Sequence, residues 1–308
     1  MKLTTSWLKP PYASGGIDHL GTQAPCVMIY GQLLPGITNV TDRARYYSFY
    51  PWLVWSYDQR YAKDDYNHFV ERFRRADCLF TLIAERHAQV TDHSNERHGI
   101  AMVGRTKLVP SLASLKSGEQ LRLSLYATTE DAPQRYFMNR LGGLSQYYAG
   151  TLADLQLMES SGRSWSFYSS QYGAPLAQSV DASVPGERFW EVVENDLVTL
   201  DDLDELSAFC ACNICGSLGE HQQLIDIFFD TGNRYSEEGI QRRRSLGLIQ
   251  QLAEALPDEW DLTEEVFRGC VYSATLPNGE AWEIPDALQF TQAHWAVYVR
   301  NDLMSVAF

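Results

Sequence analysis

The chain has 308 residues, of which 45% are apolar, 12% aromatic and 21% charged. This length and composition support a folded chain with a sizeable core and exclude an intrinsically disordered one. The formal net charge of −14 excludes general adhesion to nucleic acid or to anionic membranes, which needs a basic face, but leaves room for a local basic groove.

The sequence predicts a cytoplasmic protein with no membrane partner. Residues 1–20 contain Lys2 and Lys9, but no long apolar core of a secretory signal follows them. The sequence has no run of about 18 apolar residues that could span a bilayer. Six cysteines in a chain of this length do not form the disulfide framework of a small secreted protein.

An aromatic stretch, residues 35–61, predicts the buried helix around which the rest of the chain is organised. It begins with a Pro-Gly turn, and the polar residues Thr38, Asn39 and Thr41 are candidates for the helix N-cap. Pro51 lies inside the helix and predicts a kink. Aromatic and apolar residues recur at spacings of three and four, which defines one helical face: Tyr46, Phe49, Tyr50, Leu53 and Tyr57.

The remaining segments predict a mainly α fold, a helical array around the buried aromatic helix with one or two short β-hairpins. Residues 26–30 are a short apolar run that predicts a strand or a packed arm, and Thr199 is the expected cap of a short acidic helix. An Asn-Gly turn predicts a hairpin over 270–284. Leucines alternate with polar residues over 121–125, which is a strand signal, and helix ends around a turn are the equal alternative for this segment. Further helices are predicted over 64–90, 132–158, 187–198, 219–229, 236–256 and 289–308.

Composition along the chain suggests two domains. Residues 1–160 form an N-terminal aromatic helical domain, 161–185 a linker or long loop rich in Ser, Gly, Gln and Tyr, and 186–308 a C-terminal helical domain. One continuous domain is the alternative. The last helix ends on apolar residues, so we expect this end to pack against a partner or core, or the chain to be a fragment of a longer protein.

A cysteine cluster is the one group in the sequence that resembles a metal site. Thiolates and imidazole suit tetrahedral zinc, but the spacing C-x-C-x2-C-x5-H is not a standard zinc pattern. The alternative is a set of small buried residues where a helix meets a turn. The predicted metal ligands are Cys210, Cys212, Cys215 and His221. Three other histidines lie in or beside one polar segment at spacings that suit no helical pair of ligands: His87, His93 and His98.

Three arginine clusters are candidates for binding an anion or nucleic acid. Guanidinium groups pair with phosphates and carboxylates, so in an acidic chain each cluster is either a binding patch or a set of counterions to internal carboxylates. The candidates are Arg43, Arg45, Arg72, Arg74, Arg75, Arg242, Arg243 and Arg244. The common motifs of phosphate loops, serine hydrolases and zinc proteases are absent from the sequence, so no catalytic residue is predicted.

Two segments carry a resemblance to an uncharacterised family of bacterial proteins. The first is PGITNVTDRARYYSFYPWLVW, and the second is TQAHWAVYVRNDLMSVAF near the C-terminus. The matching residues are Arg43, Arg45, Tyr46, Tyr47 and Trp52, and then Trp295, Tyr298, Asn301 and Ser305. Such proteins are similar to members of multi-gene anti-phage defence neighbourhoods, which implies a complex subunit. The resemblance brings no catalytic motif, and longer relatives continue beyond the late helix.

These observations favour a non-enzymatic subunit of a bacterial protein complex, active in anti-phage defence and partnered by other protein subunits. One alternative is a nucleic-acid-binding or processing protein that uses the arginine clusters. The other is a zinc-dependent enzyme or zinc-stabilised module at the cysteine cluster. No other cofactor is predicted.

Overall fold

The computed structural model describes residues 23–61, 65–91, 101–159 and 167–307. Within these ranges the chain is mainly α-helical with a buried aromatic cluster, as the sequence predicts. Contacts between Cα atoms divide it into two units, the larger one 34–243 and the smaller one the described residues of 1–33 and 244–308. His93 and His98 lie outside the described residues.

The helices begin and end as follows. The α-helices are α1 Gln23–Leu33, α2 Ala44–Arg60, α3 Tyr66–Thr91, α4 Arg105–Ser114, α5 Ser124–Ala127, α6 Ala149–Asp154, α7 Gly173–Asp181, α8 Gly186–Asn195, α9 Leu200–Glu205, α10 Leu218–Phe228, α11 Ser236–Ala255, α12 Glu264–Ser273 and α13 Asp286–Ala307. A π-helical turn spans Leu144–Tyr148, and 3-10 helices span Ser207–Phe209 and Ala211–Gly216.

Helix α2 lies at the centre of the larger unit. Twelve of its seventeen residues are buried, because it contacts α3, α7, α10 and the second 3-10 helix. The rings of Phe49 and Phe80 stack with centroids 3.8 Å apart, and Trp52 Nε1 donates to the Asp181 carboxylate at 3.0 Å. A helix buried on most of its circumference is a core element, which agrees with the prediction for the aromatic stretch.

The start of α2 differs from the prediction. Its N-cap is Arg43, whose side chain makes no capping hydrogen bond. Thr41 instead accepts hydrogen bonds from the Thr38 backbone N–H at 2.9 Å and from the Tyr47 hydroxyl at 2.8 Å. The predicted cap of α9 is confirmed. Thr199 Oγ1 accepts a hydrogen bond from the backbone N–H of Asp202, and the Asp202 carboxylate accepts one from the backbone N–H of Thr199, which is a capping box.

The two sheets of the described chain are short and antiparallel. β1 (Leu121–Arg122) pairs with β4 (Leu197–Val198). The strand predicted near residue 121 is therefore present over two residues, and its partner strand is distant in sequence. β2 (Met158–Glu159) pairs with β3 (Phe167–Tyr168). The hairpin predicted over 270–284 is reduced to one bridge, Thr275 to Ala281, because α12 extends through Ser273.

The predicted helix over 132–158 is shorter in the structure. Residues 132–141 lie in turns, bends and irregular structure, and helical structure begins at Gly142, just before the π-helical turn Leu144–Tyr148. The guanidinium of Arg74 donates to the carbonyls of Phe137 and Asn139. A continuous helix would use these carbonyls for its own hydrogen bonds. Within the predicted linker 161–185, the described residues contain β3 and α7, and α7 packs against α2.

The smaller unit contains α1, the part of α11 from Arg244 onward, α12 and α13, and both α1 and α12 pack against α13. Residues 26–30 belong to helix α1, so the prediction of a strand was wrong, while the alternative of a packed segment agrees with the contact of α1 with α13. Tyr30 on α1 contacts the rings of Trp295 and Tyr298 on α13, at 5.9 and 5.7 Å between centroids. These aromatic contacts keep α1 helical despite its Pro and Gly, because tertiary packing outweighs local propensity.

None of the helices in the described ranges combines the length and the apolar character needed to cross a membrane.

Candidate functional site

Arg74 shows how the predicted arginine clusters are used. Its side chain is fully buried and donates hydrogen bonds to five backbone carbonyls: Ala127, Thr128, Phe137, Asn139 and Arg140. Its guanidinium also stacks over the Tyr136 ring at 4.7 Å. The hydrogen bonds of this guanidinium therefore hold residues 127–140 against α3, and its charge is not available to an external anion.

Arg242 has the same kind of role at the end of α10. It is buried, and its guanidinium donates to the carbonyls of Ile227, Phe228 and Pro35 at 2.8 to 3.0 Å. A cation at the C-terminus of a helix satisfies the carbonyls that have no partner within it. Arg242 thus stabilises α10 rather than presenting its charge to solvent.

The other predicted arginines divide between internal contacts and the surface. Arg75 pairs with Glu71 and Asp196, and Arg72 pairs with Glu71 and with Glu194 at 3.2 Å. Arg243 donates to the Asp230 carbonyl at 3.0 Å. Arg244 is exposed, and Arg43 is half-buried at the start of α2. Arg72 and Arg75 therefore pair with carboxylates, which was one of the two alternatives for these clusters. Arg74, Arg242 and Arg243 donate to backbone carbonyls instead, which neither alternative included.

Arg45 makes a buried ion pair with Glu220. Arg45 Nε lies 3.1 Å from Glu220 Oε1, and both side chains are at most 1% exposed. Ser48 also donates to this carboxylate, and Arg45 Nη2 donates to the Ala208 carbonyl at 3.4 Å. Burial lowers the pKa of Arg45 and raises that of Glu220, while each partner opposes the shift of the other. The pair ties α2 to α10 and to the segment before Cys210.

A histidine and two cysteines meet next to this ion pair. Cys212 Sγ lies 3.3 Å from His87 Nδ1 and 3.4 Å from Cys210 Sγ. All three ligand atoms lie within 4.8 Å of one another. Among the described residues this is the group of histidine, cysteine or carboxylate side chains close enough together to hold a metal ion.

The turn around Cys210 explains why the two thiols meet. Cys210 is extended, with φ −53° and ψ 141°, and separates the two 3-10 helices. Asn213 stabilises this break, because its backbone N–H donates to the Cys210 carbonyl and its amide donates to the Ser207 carbonyl at 2.8 Å. Cys210 is fully buried and Cys212 half-buried.

The structure places the predicted ligands differently from the sequence pattern. Cys210 and Cys212 come together, but Cys215 is exposed and His221 lies on α10, and neither belongs to the group. His87 on α3 takes their place. The signal for His87 was its position three and four residues after the buried Ala84 and Ile83, on the face that α3 buries.

The buried thiol of Cys210 does not resemble an activated nucleophile. Burial raises the pKa of Cys210 to about 12, so without a bound cation this thiol is protonated at neutral pH. A catalytic cysteine needs the opposite, a thiolate stabilised at neutral pH.

A second buried polar group surrounds Asp77 in the larger unit. The carboxylate is fully buried and accepts from the hydroxyls of Tyr50 at 3.1 Å and Tyr136 at 2.8 Å, and from the Gly143 N–H at 3.3 Å. Burial raises the pKa of Asp77 to about 6. Perturbed carboxyl groups are common at functional sites, but this one has no exposed atom, so we assign it to joining α2, α3 and the turn at Gly143.

Three surface clefts of about 310, 380 and 400 Å³ occur in the larger unit. The described residues that line them include no cysteine or histidine. The thiol–imidazole group therefore does not open into any of these three clefts.

Exposed apolar side chains concentrate in the smaller unit. It has less than half as many residues as the larger unit, yet it carries nine of the fourteen large apolar residues that are exposed in the described chain. Leu303, Met304 and Val306 at the end of α13 are 53%, 56% and 80% exposed. The others in this unit are Val27, Met28, Trp260, Leu262, Tyr272 and Phe290.

Comparisons with protein-family models, with curated proteins and with solved structures each returned no match for this chain.

Proposed function

We propose that the chain is a non-catalytic subunit of a bacterial protein complex and binds another protein subunit through the smaller unit. The observation that carries this proposal is the set of exposed apolar residues on α1 and α13. Monomeric proteins seldom expose clusters of large apolar side chains. Removing such side chains from water at an interface stabilises the complex by about 25 cal/mol per Å² of apolar surface buried.

The end of α13 is the centre of the proposed binding surface. Leu303, Met304 and Val306 lie within one helical turn, and Val27 and Met28 lie on α1, which packs against α13. Leucine, methionine and valine side chains fit an apolar groove or helix face of the partner, and methionine adapts to irregular surfaces. The partner is therefore a protein with a complementary apolar surface.

The arginine contacts support a protein partner over nucleic acid. Arg74, Arg75 and Arg242 are buried, and their guanidinium groups are engaged with backbone carbonyls and carboxylates. Phosphate contacts require accessible cations, and each one would add to the salt dependence of binding. The nucleic-acid alternative predicts strongly salt-dependent filter binding, whereas our proposal predicts no binding at moderate ionic strength.

A role in anti-phage defence is the specific form of this proposal. Its support is the resemblance of the α2 and α13 segments to bacterial proteins of multi-gene defence neighbourhoods. In that setting the partner is the product of a neighbouring gene.

Co-expression with the products of neighbouring genes tests the proposed binding surface. We expect one of them to co-elute with the tagged full-length chain in size-exclusion chromatography. Met304→Asp, which places a charge at the centre of the surface, should abolish co-elution because a buried unpaired charge is strongly unfavourable.

Met138→Asp is the matched control, since Met138 is 73% exposed but lies in the larger unit. It should leave co-elution intact. A chain that elutes alone with every neighbouring product, or a partner that is lost equally with both variants, would contradict the proposal. Self-association without a second protein would contradict it as well.

A further inference from the structure

The thiol–imidazole group has the ligand types of a zinc site. Zn²⁺ in proteins is held mainly by cysteine thiolates and histidine nitrogens, and two sulfurs with one nitrogen form a soft set that disfavours Mg²⁺ and Ca²⁺. Two separate segments of the larger unit supply this set. His87 lies in the last turns of α3, Cys210 lies between the two 3-10 helices, and Cys212 lies at the start of the second one.

The distances also fit. With Zn–S of about 2.3 Å and Zn–N of about 2.0 Å, tetrahedral geometry places two sulfurs about 3.8 Å apart and a sulfur and a nitrogen about 3.5 Å apart. The observed separations are 3.4 Å between the sulfurs and 3.3 Å between Cys212 Sγ and His87 Nδ1. In these two pairs, binding would require the ligand atoms to move apart by only a few tenths of an ångström, and the atoms of the third pair, Cys210 and His87, lie within 4.8 Å of each other.

From these ligands and distances we propose that His87, Cys210 and Cys212 bind a Zn²⁺ ion. The fourth position is taken by solvent, because His87 and Cys212 are half-buried and solvent reaches their side of the group. This inference is independent of the proposed protein-binding role, since the ligands belong to the larger unit.

The charges around the site are balanced when zinc is bound. Two thiolates and a neutral imidazole compensate the two charges of Zn²⁺, and the two thiol protons pass to solvent. The neighbouring Arg45 is compensated separately by Glu220 at 3.1 Å. No unpaired charge is therefore buried, which is the condition for placing an ion in a site of this kind.

The ion would cross-link two elements. His87 is near the end of α3, and the cysteines lie more than 120 residues later in the turn that Asn213 stabilises. Structural zinc stabilises a fold by joining segments that are distant in sequence. A bound ion here would fix the 3-10 segment against α3, although the solvent-occupied fourth position differs from closed structural sites, which have four protein ligands.

Metal binding is tested on the full-length chain, purified under reducing conditions without chelator, by elemental analysis and by titration with Co²⁺. We expect one zinc per chain as purified. Replacement by Co²⁺ should give the thiolate-to-cobalt charge-transfer band and the intense visible bands of tetrahedral coordination. Cys212→Ser and His87→Ala should weaken Co²⁺ binding by at least about 10- to 100-fold, since loss of even an outer-shell partner has that effect.

Cys215→Ser and His221→Ala are the matched controls, because they remove the same atom types close in sequence but outside the group. Both should keep the Co²⁺ spectrum of the wild type. Circular dichroism of the apo variants checks that each one folds. Cys212 and His87 are chosen because they are half-buried, whereas Cys210 is fully buried and its substitution carries a larger risk of a folding defect.

Three results would overturn the inference. The first is the absence of zinc and of a Co²⁺ spectrum in the folded wild type. The second is a spectrum that is lost with Cys215→Ser or His221→Ala but kept with Cys212→Ser. The third is a disulfide between Cys210 and Cys212 in protein kept under reducing conditions, located by peptide mass spectrometry.

Discussion

Replacing Phe49 by alanine is expected to lower the free energy of unfolding of the larger unit by about 3–5 kcal/mol. The side chain is fully buried and stacks on Phe80 with ring centroids 3.8 Å apart and planes at 8°. It also contacts the rings of Tyr46, Trp52 and Phe189. The cavity left by the ring would lie among α2, α3 and α8, where rigid aromatic neighbours limit collapse.

Urea unfolding followed by tryptophan fluorescence measures this change. Leu125→Ala is the control, because Leu125 is 55% exposed in the same unit and its truncation should change stability by less than about 0.5 kcal/mol. Equal effects of the two substitutions would show that α2 is not the core element described above.

Arg45→Met is expected to lower the free energy of unfolding by about 3–5 kcal/mol, because it leaves the Glu220 carboxylate buried without its partner. Ser48 would then be the one side chain still donating to that carboxylate. The double variant Arg45→Met with Glu220→Leu should be more stable than Arg45→Met alone, since no unpaired charge is left. A double-mutant cycle in urea measures the coupling of the two residues.

Arg60→Met provides the comparison on the same helix. Arg60 pairs with Glu187, whose side chain is 83% exposed, so loss of this pair should leave the unfolding midpoint nearly unchanged. Strictly additive effects of Arg45→Met and Glu220→Leu would contradict the buried pair.

Periodicity was sufficient to predict the central helix, because α2 is buried on most of its circumference and its aromatic spacing follows one helical face. The helix cap at Thr199 could also be predicted from the sequence, since a capping box involves residues only three positions apart. Helix α1 was missed because its Pro and Gly obscure a helix that depends on contacts of Tyr30 with Trp295 and Tyr298.

The contacts that define the candidate sites could not be read from local pattern. Cys212 meets His87 across 125 positions, and Ser48 meets Glu220 across 172. His221 seemed the natural partner of the cysteines because it follows them closely, but nearness in sequence does not determine where side chains meet. The buried arginines were equally ambiguous, since a cluster of positive charge looks the same whether it binds phosphate or backbone carbonyls.

Hydrogen–deuterium exchange tests the central claim, that the chain binds another protein through its smaller unit. The full-length chain is compared alone and with the neighbouring-gene product that co-elutes with it. We expect slower exchange over Asp286–Ala307 and Gln23–Leu33 in the complex, and no change over the core helix Ala44–Arg60. Slower exchange confined to the larger unit, or no difference between the two samples, would contradict the account.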